Sequence, residues 1–290
     1  MIRLLTLSLL ALAAYGITPT PPAGWTEGYV LTNGVRLHYW RTGGVGKTPL
    51  VLAHGSSDDG LCWTNLAKEL TAQYDLILFD ARGHGLSDPP KAGETSEAQV
   101  EDLAGLIREL KLDKPILMGH SMGSSSVAWF AAKYPAAARA IVLEDPGLVR
   151  RPGVGPAANL APPDERRAET LRRNNLSQED LIAGCMKGSP KWGRNECEIW
   201  APSKRRHHPA AAFVNNADRP AVKDLFSKIT VPVLILKADA QGDLRRENEE
   251  VASTLAQGKI VHIEGAGHNV RRENKAQTLE VLNAFLQGLR

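Results

Sequence analysis

Apolar residues along the chain gather into two kinds of run. "EGYVLTNGVRLHYWRTG" alternates apolar and polar positions on both sides of Asn33-Gly34. That pattern predicts a β-hairpin, because Asn-Gly suits the positive φ angles of a tight type I′ turn. "PLVLAHG", "YDLILFDARGHG", "PILMGHS", "RAIVLEDPG", "VPVLILKAD" and "GKIVHIEGAGH" are continuous apolar runs of strand length with no polar face. Strands of this kind are buried on both sides, as in a parallel sheet covered by helices. Between them lie helical patterns. "SEAQVEDLAGLIRELKL" places Val100, Leu103, Leu106, Ile107 and Leu110 on one stripe, with acidic residues early and Lys111 at the end. "SSVAWFAAKYP" stops at Pro135, and "ENEEVASTLA" and "KAQTLEVLNAFLQGL" close the series. The alternation predicts an α/β fold with a mostly parallel eight-stranded sheet flanked by helices.

Residues 147–225 break this rhythm. They hold no buried-strand run, are rich in Pro, Arg and Ala, and contain Trp192 and Trp200. The segment is too long for a plain connection and reads as an inserted, mainly helical cap. The core is then 17–146 and 226–290. A length of 290 residues suits one domain with an insertion.

Composition changes little in this picture. Hydrophobic content of 43% and charged content of 23% are ordinary for a soluble globular protein, and a net charge of +3 gives no argument for a nucleic-acid partner. Nothing in the chain fixes an oligomeric state. The first sixteen residues, "MIRLLTLSLLALAAYG", join one early positive charge to an apolar run and the small residues Ala14 and Gly16. This reads as a cleaved export signal, with a mature start near Ile17 and a secreted or periplasmic protein. The alternative is an uncleaved helix that packs on the body or anchors at a membrane surface; the run is too short for a stable span. Of the three cysteines, Cys185 and Cys197 lie twelve apart and can pair if the protein is exported, leaving Cys62.

The chemistry centres on "MGHSMGSSSVAWF". Ser121 ends an apolar strand and begins a helix, so Gly119-His120-Ser121-Met122-Gly123 is a G-x-S-x-G nucleophile elbow in its required context. A serine hydroxyl is a poor nucleophile until a base takes its proton. Among eight histidines, His268 in "EGAGHNV" is the expected base, since it follows the last strand and its loop reaches the same sheet edge as Ser121. His54, His84 and His120 lie in glycine turns and read as structural. His207 and His208 belong to "KRRHH", which reads as a solvated face, and His38 and His262 lie within strands.

The pieces "LAHGSSDDGLCW", "DARGHGLSD", "GHSMG", "LEDP", "VPVLILKAD" and "EGAGHN" together resemble the α/β-hydrolase fold family, in its esterase, lactonase and haloperoxidase-like group. The resemblance spans roughly residues 27–288 apart from the cap. It implies an oxyanion hole formed by the backbone N–H groups of Met122 and Ser56. Asp58 and Asp59, just beyond, read as a solvated loop. The resemblance also implies a chain order of serine, acid, histidine. Asp239 is the preferred acid because it directly follows an apolar strand; Asp243 and the Glu144/Asp145 pair are the alternatives. Relatives with an aspartate nucleophile, haloalkane dehalogenases and epoxide hydrolases, are set aside by Ser121. No metal or organic cofactor is implied. The expected activity is hydrolysis of a small-molecule carboxylic ester or lactone through an acyl-serine. Alternatives are carbon–carbon bond hydrolysis of dienoates, perhydrolysis or cofactor-free haloperoxidation, and a non-catalytic small-molecule receptor.

The cap carries 14 Lys and Arg against 9 Asp and Glu, a net of +5, which leaves the rest of the chain at −2. Arginines recur in pairs at 150–151, 166–167, 172–173 and 205–206. A basic lid can attract an anionic group, while the plainer reading is a solvated helical surface. Trp192 and Trp200 fit either an aromatic-accepting pocket or packing within the cap.

Overall fold

The computed structural model describes residues 20–149, 161–215 and 218–289. The expected export signal and Arg150-Arg151 lie outside the described residues. In chain order the strands are β1 (Thr26–Thr32), β2 (Val35–Arg41), β3 (Thr48–Ala53), β4 (Tyr74–Phe79), β5 (Ile116–His120), β6 (Ala140–Glu144), β7 (Val233–Ala238) and β8 (Gly258–Ile263). They form one eight-stranded sheet in the order β1-β2-β4-β3-β5-β6-β7-β8. Pairings of β1 with β2 and of β2 with β4 are antiparallel; every later pairing is parallel. The hairpin turns where expected, with Thr32 opposite Val35 and positive φ at Asn33 (47°) and Gly34 (72°).

Helices α1 (Thr64–Leu70), α2 (Glu97–Glu109) and α3 (Met122–Lys133) link β3 to β4, β4 to β5 and β5 to β6. The continuous apolar runs are explained by what covers each face of the sheet. Along β3, Val51 and Ala53 pack on one side with Val100, Leu103 and Leu106 of α2 and Val127 and Phe130 of α3. Leu50 and Leu52 pack on the other with Leu66 and Leu70 of α1 and with Leu282 and Leu286 near the C-terminus. Each aliphatic side chain so enclosed contributes about 2 kcal/mol by leaving water.

Between β6 and β7 lie α4 (Pro163–Asn174), α5 (Gln178–Gly188), α6 (Gly193–Arg206) and the short α7 (Val222–Phe226). The insertion is mainly helical, as the missing strand pattern predicts. Helices α5 and α6 enclose a small core of Leu181, Ile182, Cys185, Cys197 and Ala201. So few apolar residues make a weak core, and a Cys185–Cys197 disulfide staples it. Trp192 and Trp200 meet edge to face, with the Arg272 guanidinium over one and the Lys204 ammonium over the other. Helix α7 returns to the sheet, where Leu225 and Phe226 join the larger core. The chain ends with α8 (Gly242–Ala252), α9 (Val270–Glu273) and α10 (Lys275–Gln287). Among the described residues no helix is long and apolar enough to cross a membrane.

The loop after β3 differs from the solvated loop expected there. Asp58 and Asp59 are 4% and 2% exposed. Asp58 accepts from Lys204 of α6 (2.7 Å) and from Arg272 (2.9 Å), and Asp59 accepts from Arg206 (2.6 Å). Burial alone would raise the Asp58 carboxyl, but Arg272 and Lys204 overcome it and hold the group well below its ordinary value. The "KRRHH" run is therefore a solvated face only in part, with Arg205 and His208 exposed and Lys204 buried. Lys204 and Arg206 turn inward because each finds a carboxylate on the core that cancels the cost of burial.

Candidate active site

Ser121 sits between β5 and α3 with φ 51° and ψ −108°, a conformation costly for a residue with a Cβ. The flanking glycines permit it. A Cβ on Gly119 would fall 2.4 Å from the Gly123 carbonyl carbon, and one on Gly123 would fall 2.2 Å from the Ala53 oxygen. The turn is braced by Ser121 N–H donating to Glu144 O (3.0 Å) and by Ser124 Oγ donating to Gly119 O (2.5 Å). Ser121 Oγ lies 2.9 Å from His268 Nε2, and His268 Nδ1 lies 2.6 Å from Asp145 Oδ2. An ionised carboxylate only accepts, so Nδ1 carries the proton and Nε2 accepts from the serine hydroxyl.

The acid in contact with His268 is thus Asp145, at the end of β6. Asp239, preferred on sequence, stands elsewhere: its Oδ2 accepts from Gly265 N–H (2.9 Å) and its own N–H donates to Ala266 O (2.8 Å). It braces the loop that leads to His268. The physical reason is strand order. β6 pairs directly with the serine strand, whereas β7 is one place further out. Glu144 is buried against Arg271, which donates to it from the backbone N–H (2.9 Å) and from Nη1 (2.7 Å). Asp243 pairs with Arg246 on the surface of α8.

Asp145 has a second partner that the sequence reading missed. Lys237 Nζ, at the end of β7, donates to Asp145 Oδ1, and the Ala238 N–H donates to the same oxygen (3.2 Å). Burial pushes the Asp145 carboxyl up, but the His268 hydrogen bond and Lys237 outweigh it and bring the group to about 2. The available signal was Lys237 itself, the one charged residue inside the apolar run "VPVLILKA".

Three other histidines lie beside the site, His54 and His84 in loops and His120 at the end of β5. His54 Nδ1 donates to Gly55 O (2.8 Å) and Nε2 accepts from Ala81 N–H (2.9 Å). His84 links Arg82 O to Ser57 N–H, and burial drives it well below its ordinary value. His120 Nε2 donates to His268 O (2.9 Å), fixing the backbone of the histidine loop; burial lowers it to about 4. His84 and His120 stay neutral at pH 7, as structural links do in a site where protons must move elsewhere. Lys204 adds to the frame by donating to Ser57 O (2.6 Å) and Ser57 Oγ (3.0 Å).

A cavity of about 250 Å³ opens at Ser121. Core residues Ser56, Met122, Ser125 and Asp145 line it, and the insertion contributes Arg166, Thr170, His207 and Ala212. Ser56 and Met122 therefore face the same space as the hydroxyl. Met122 opens α3, where the first N–H groups of a helix have no intrahelical acceptor. Trp192 and Trp200 are not among the lining residues. The arrangement can move a proton from Ser121 to His268 while Asp145 fixes the imidazole.

Residues 50–281 match the model of a family described as the alpha/beta hydrolase family. N-formylmaleamate deformylase of Pseudomonas putida is 27% identical to the chain over 84% of it and 90% of the relative. Human serine hydrolase BPHL is 26% identical over 90% of this chain and 87% of the relative. Among solved structures, a thermophilic esterase from Thermogutta terrifontis, determined with malate bound, superposes with a TM-score of 0.67 at 25% identity, over 91% of this chain and 99% of that one. With its sheet order, its elbow and a match over most of its length, the chain belongs to the alpha/beta hydrolase family.

Proposed function

We propose that this protein is a serine hydrolase that cleaves a carboxylic ester or lactone through an acyl-Ser121 intermediate. The observation that carries this reading is the continuous contact from Ser121 Oγ through His268 to Asp145. In the first half-reaction Nε2 of His268 takes the hydroxyl proton as Oγ attacks the carbonyl carbon. The carbonyl oxygen becomes negative in the space before the Met122 and Ser56 N–H groups, and such donors are worth about 3 kcal/mol each in the transition state. His268 then returns the proton to the departing alcohol oxygen. Water repeats the sequence on the acyl-serine and releases the acid. Asp145 remains ionised throughout and stabilises the imidazolium.

A second reading, hydrolysis of an N-acyl bond, is favoured by the similarity to a deformylase. It uses the same groups and differs only in the atom that His268 protonates. Export belongs to the same proposal, supported by the signal-like first sixteen residues and by the paired Cys185 and Cys197. The test is a panel of phenyl esters, lactones and N-acyl compounds assayed with wild-type protein and Ser121→Ala, together with labelling by a fluorophosphonate. Esterase turnover that falls by about a thousandfold or more in the variant, with label on Ser121, is expected. Turnover retained by folded Ser121→Ala rules the mechanism out.

A further inference from the structure

The cavity beside Ser121 carries an excess of positive charge. Asp145 is the sole carboxylate among its described lining residues, and His268 and Lys237 already occupy both of its oxygens. Arg82 also lines the cavity, but Asp102 grips it at 2.5 and 2.6 Å and Glu94 pairs with its remaining terminal nitrogen. Burial brings His207 to about 3 and lowers His84 well below its ordinary value, so neither adds charge at neutral pH.

Arg166 is different. It extends from α4 into the cavity, where Nη1 donates to Ala161 O (2.8 Å) and Nη2 donates to Ala212 O. Both acceptors are neutral backbone carbonyls, and among the described residues no carboxylate pairs with this guanidinium. The two carbonyls orient the planar group without cancelling its charge. Of its five N–H donors, Nε–H and one on each terminal nitrogen keep their capacity for a further acceptor. Two other arginines of α4, Arg172 and Arg173, instead fold back onto Glu169 at the surface. Arg219 lines the same wall and donates to Ser96 Oγ (2.9 Å).

We propose that the cavity takes esters whose acyl or leaving part carries a second carboxylate, and that Arg166 receives it while Ser121 attacks the ester carbonyl. A planar guanidinium meets a carboxylate edge to edge through two parallel hydrogen bonds, so it fixes the distance between the anion and the scissile carbonyl as well as binding it. The inference rests on the acyl-serine reading for its turnover test and stands apart from it for binding.

The experiment compares monophenyl succinate, glutarate and adipate with phenyl butyrate, pentanoate and hexanoate, using wild type, Arg166→Gln and Arg166→Lys, after subtracting uncatalysed hydrolysis. For at least one acid ester, Arg166→Gln is expected to lower kcat/KM about tenfold or more beyond its effect on the matched neutral ester. Charge-assisted hydrogen bonds are of that strength. The loss should lie mainly in KM, and Arg166→Lys should recover part of it. In parallel, calorimetry measures succinate, glutarate and adipate binding to Ser121→Ala with and without Arg166→Gln. Binding that depends on Arg166 supports the subsite even if no ester is turned over, in which case the hydrolase reading alone falls. Equal effects of Arg166→Gln on acid and neutral esters, or diacid binding indifferent to it, overturn the subsite and leave the hydrolase reading intact.

Discussion

Asp145 gives one carboxylate oxygen to His268 Nδ1 at 2.6 Å and the other to the Lys237 ammonium. The acid is thus held from two strands at once. Replacing it with Asn would present an amide to Nδ1 and favour the wrong tautomer of the imidazole. Asp145→Asn is expected to lower kcat by about 10³–10⁴. Asp239→Asn should cost less than about tenfold, because among the described residues Asp239 hydrogen-bonds to the Gly265 and Ala266 backbone and not to His268. Steady-state kinetics on both variants, with folding checked by circular dichroism, separates the two; a crippled Asp239→Asn beside an active Asp145→Asn reverses the assignment.

The same carboxylate makes part of the stability depend on acid. Its folded value, about 2, lies below the ordinary value of 3.8. A depressed value means that its contribution is complete above the ordinary value and is lost as pH falls through the folded one. The shift corresponds to about 2 kcal/mol, fading between about pH 5 and pH 2. The gap in unfolding free energy between wild type and Asp145→Asn should therefore narrow by about that amount over this range. A gap that stays constant in denaturant titrations would contradict the pairing.

Asp58 anchors α6 to the core through Lys204 and is held in turn by Arg272. Asp58→Asn strands two buried cations, which costs about 3–5 kcal/mol. Lys204→Met relieves one of them. The double variant should be more stable than the two single losses added together, with a coupling above about 1 kcal/mol in urea unfolding. Simple additivity would show that the ammonium and the carboxylate do not sense each other.

The Cys185–Cys197 disulfide closes a short loop, twelve residues apart in sequence, around a core of few apolar side chains. Loop-closure entropy assigns it about 3 kcal/mol. Cys185→Ser with Cys197→Ser should lower the thermal midpoint and loosen the insertion first, seen as earlier proteolysis within α5 and α6. Non-reducing mass spectrometry of the native protein should find the pair intact with Cys62 as the free thiol; two free thiols at 185 and 197 would refute it.

The strands and the elbow were legible because their signals are local. A buried strand needs only its own apolar run, and Ser121 needs only its own glycines. The acid was not legible, since "LEDP" and "LKAD" are the same pattern, an apolar strand ended by an aspartate. Only the order of strands in the sheet decides which of them lies beside His268. The buried charges were missed for a related reason. Asp58 and Lys204 each look like surface residues in their own segments, and 146 positions separate them. Burial became favourable only when the fold brought opposite signs together. Arg166 was visible as one of several arginine pairs, but helical phase alone does not say which arginine turns inward.

The ionic seam between α6 and the core also limits how the molecule can be recombined. An apolar seam accepts many partners of roughly the right shape, whereas Asp58 and Asp59 accept only a partner that brings cations to the places of Lys204 and Arg206. A roof grafted from a relative without them would enclose two carboxylates short of their counter-charges, Asp59 with none and Asp58 with Arg272 alone. The loop after β3 and helix α6, far apart in the gene product, have to be exchanged as one module.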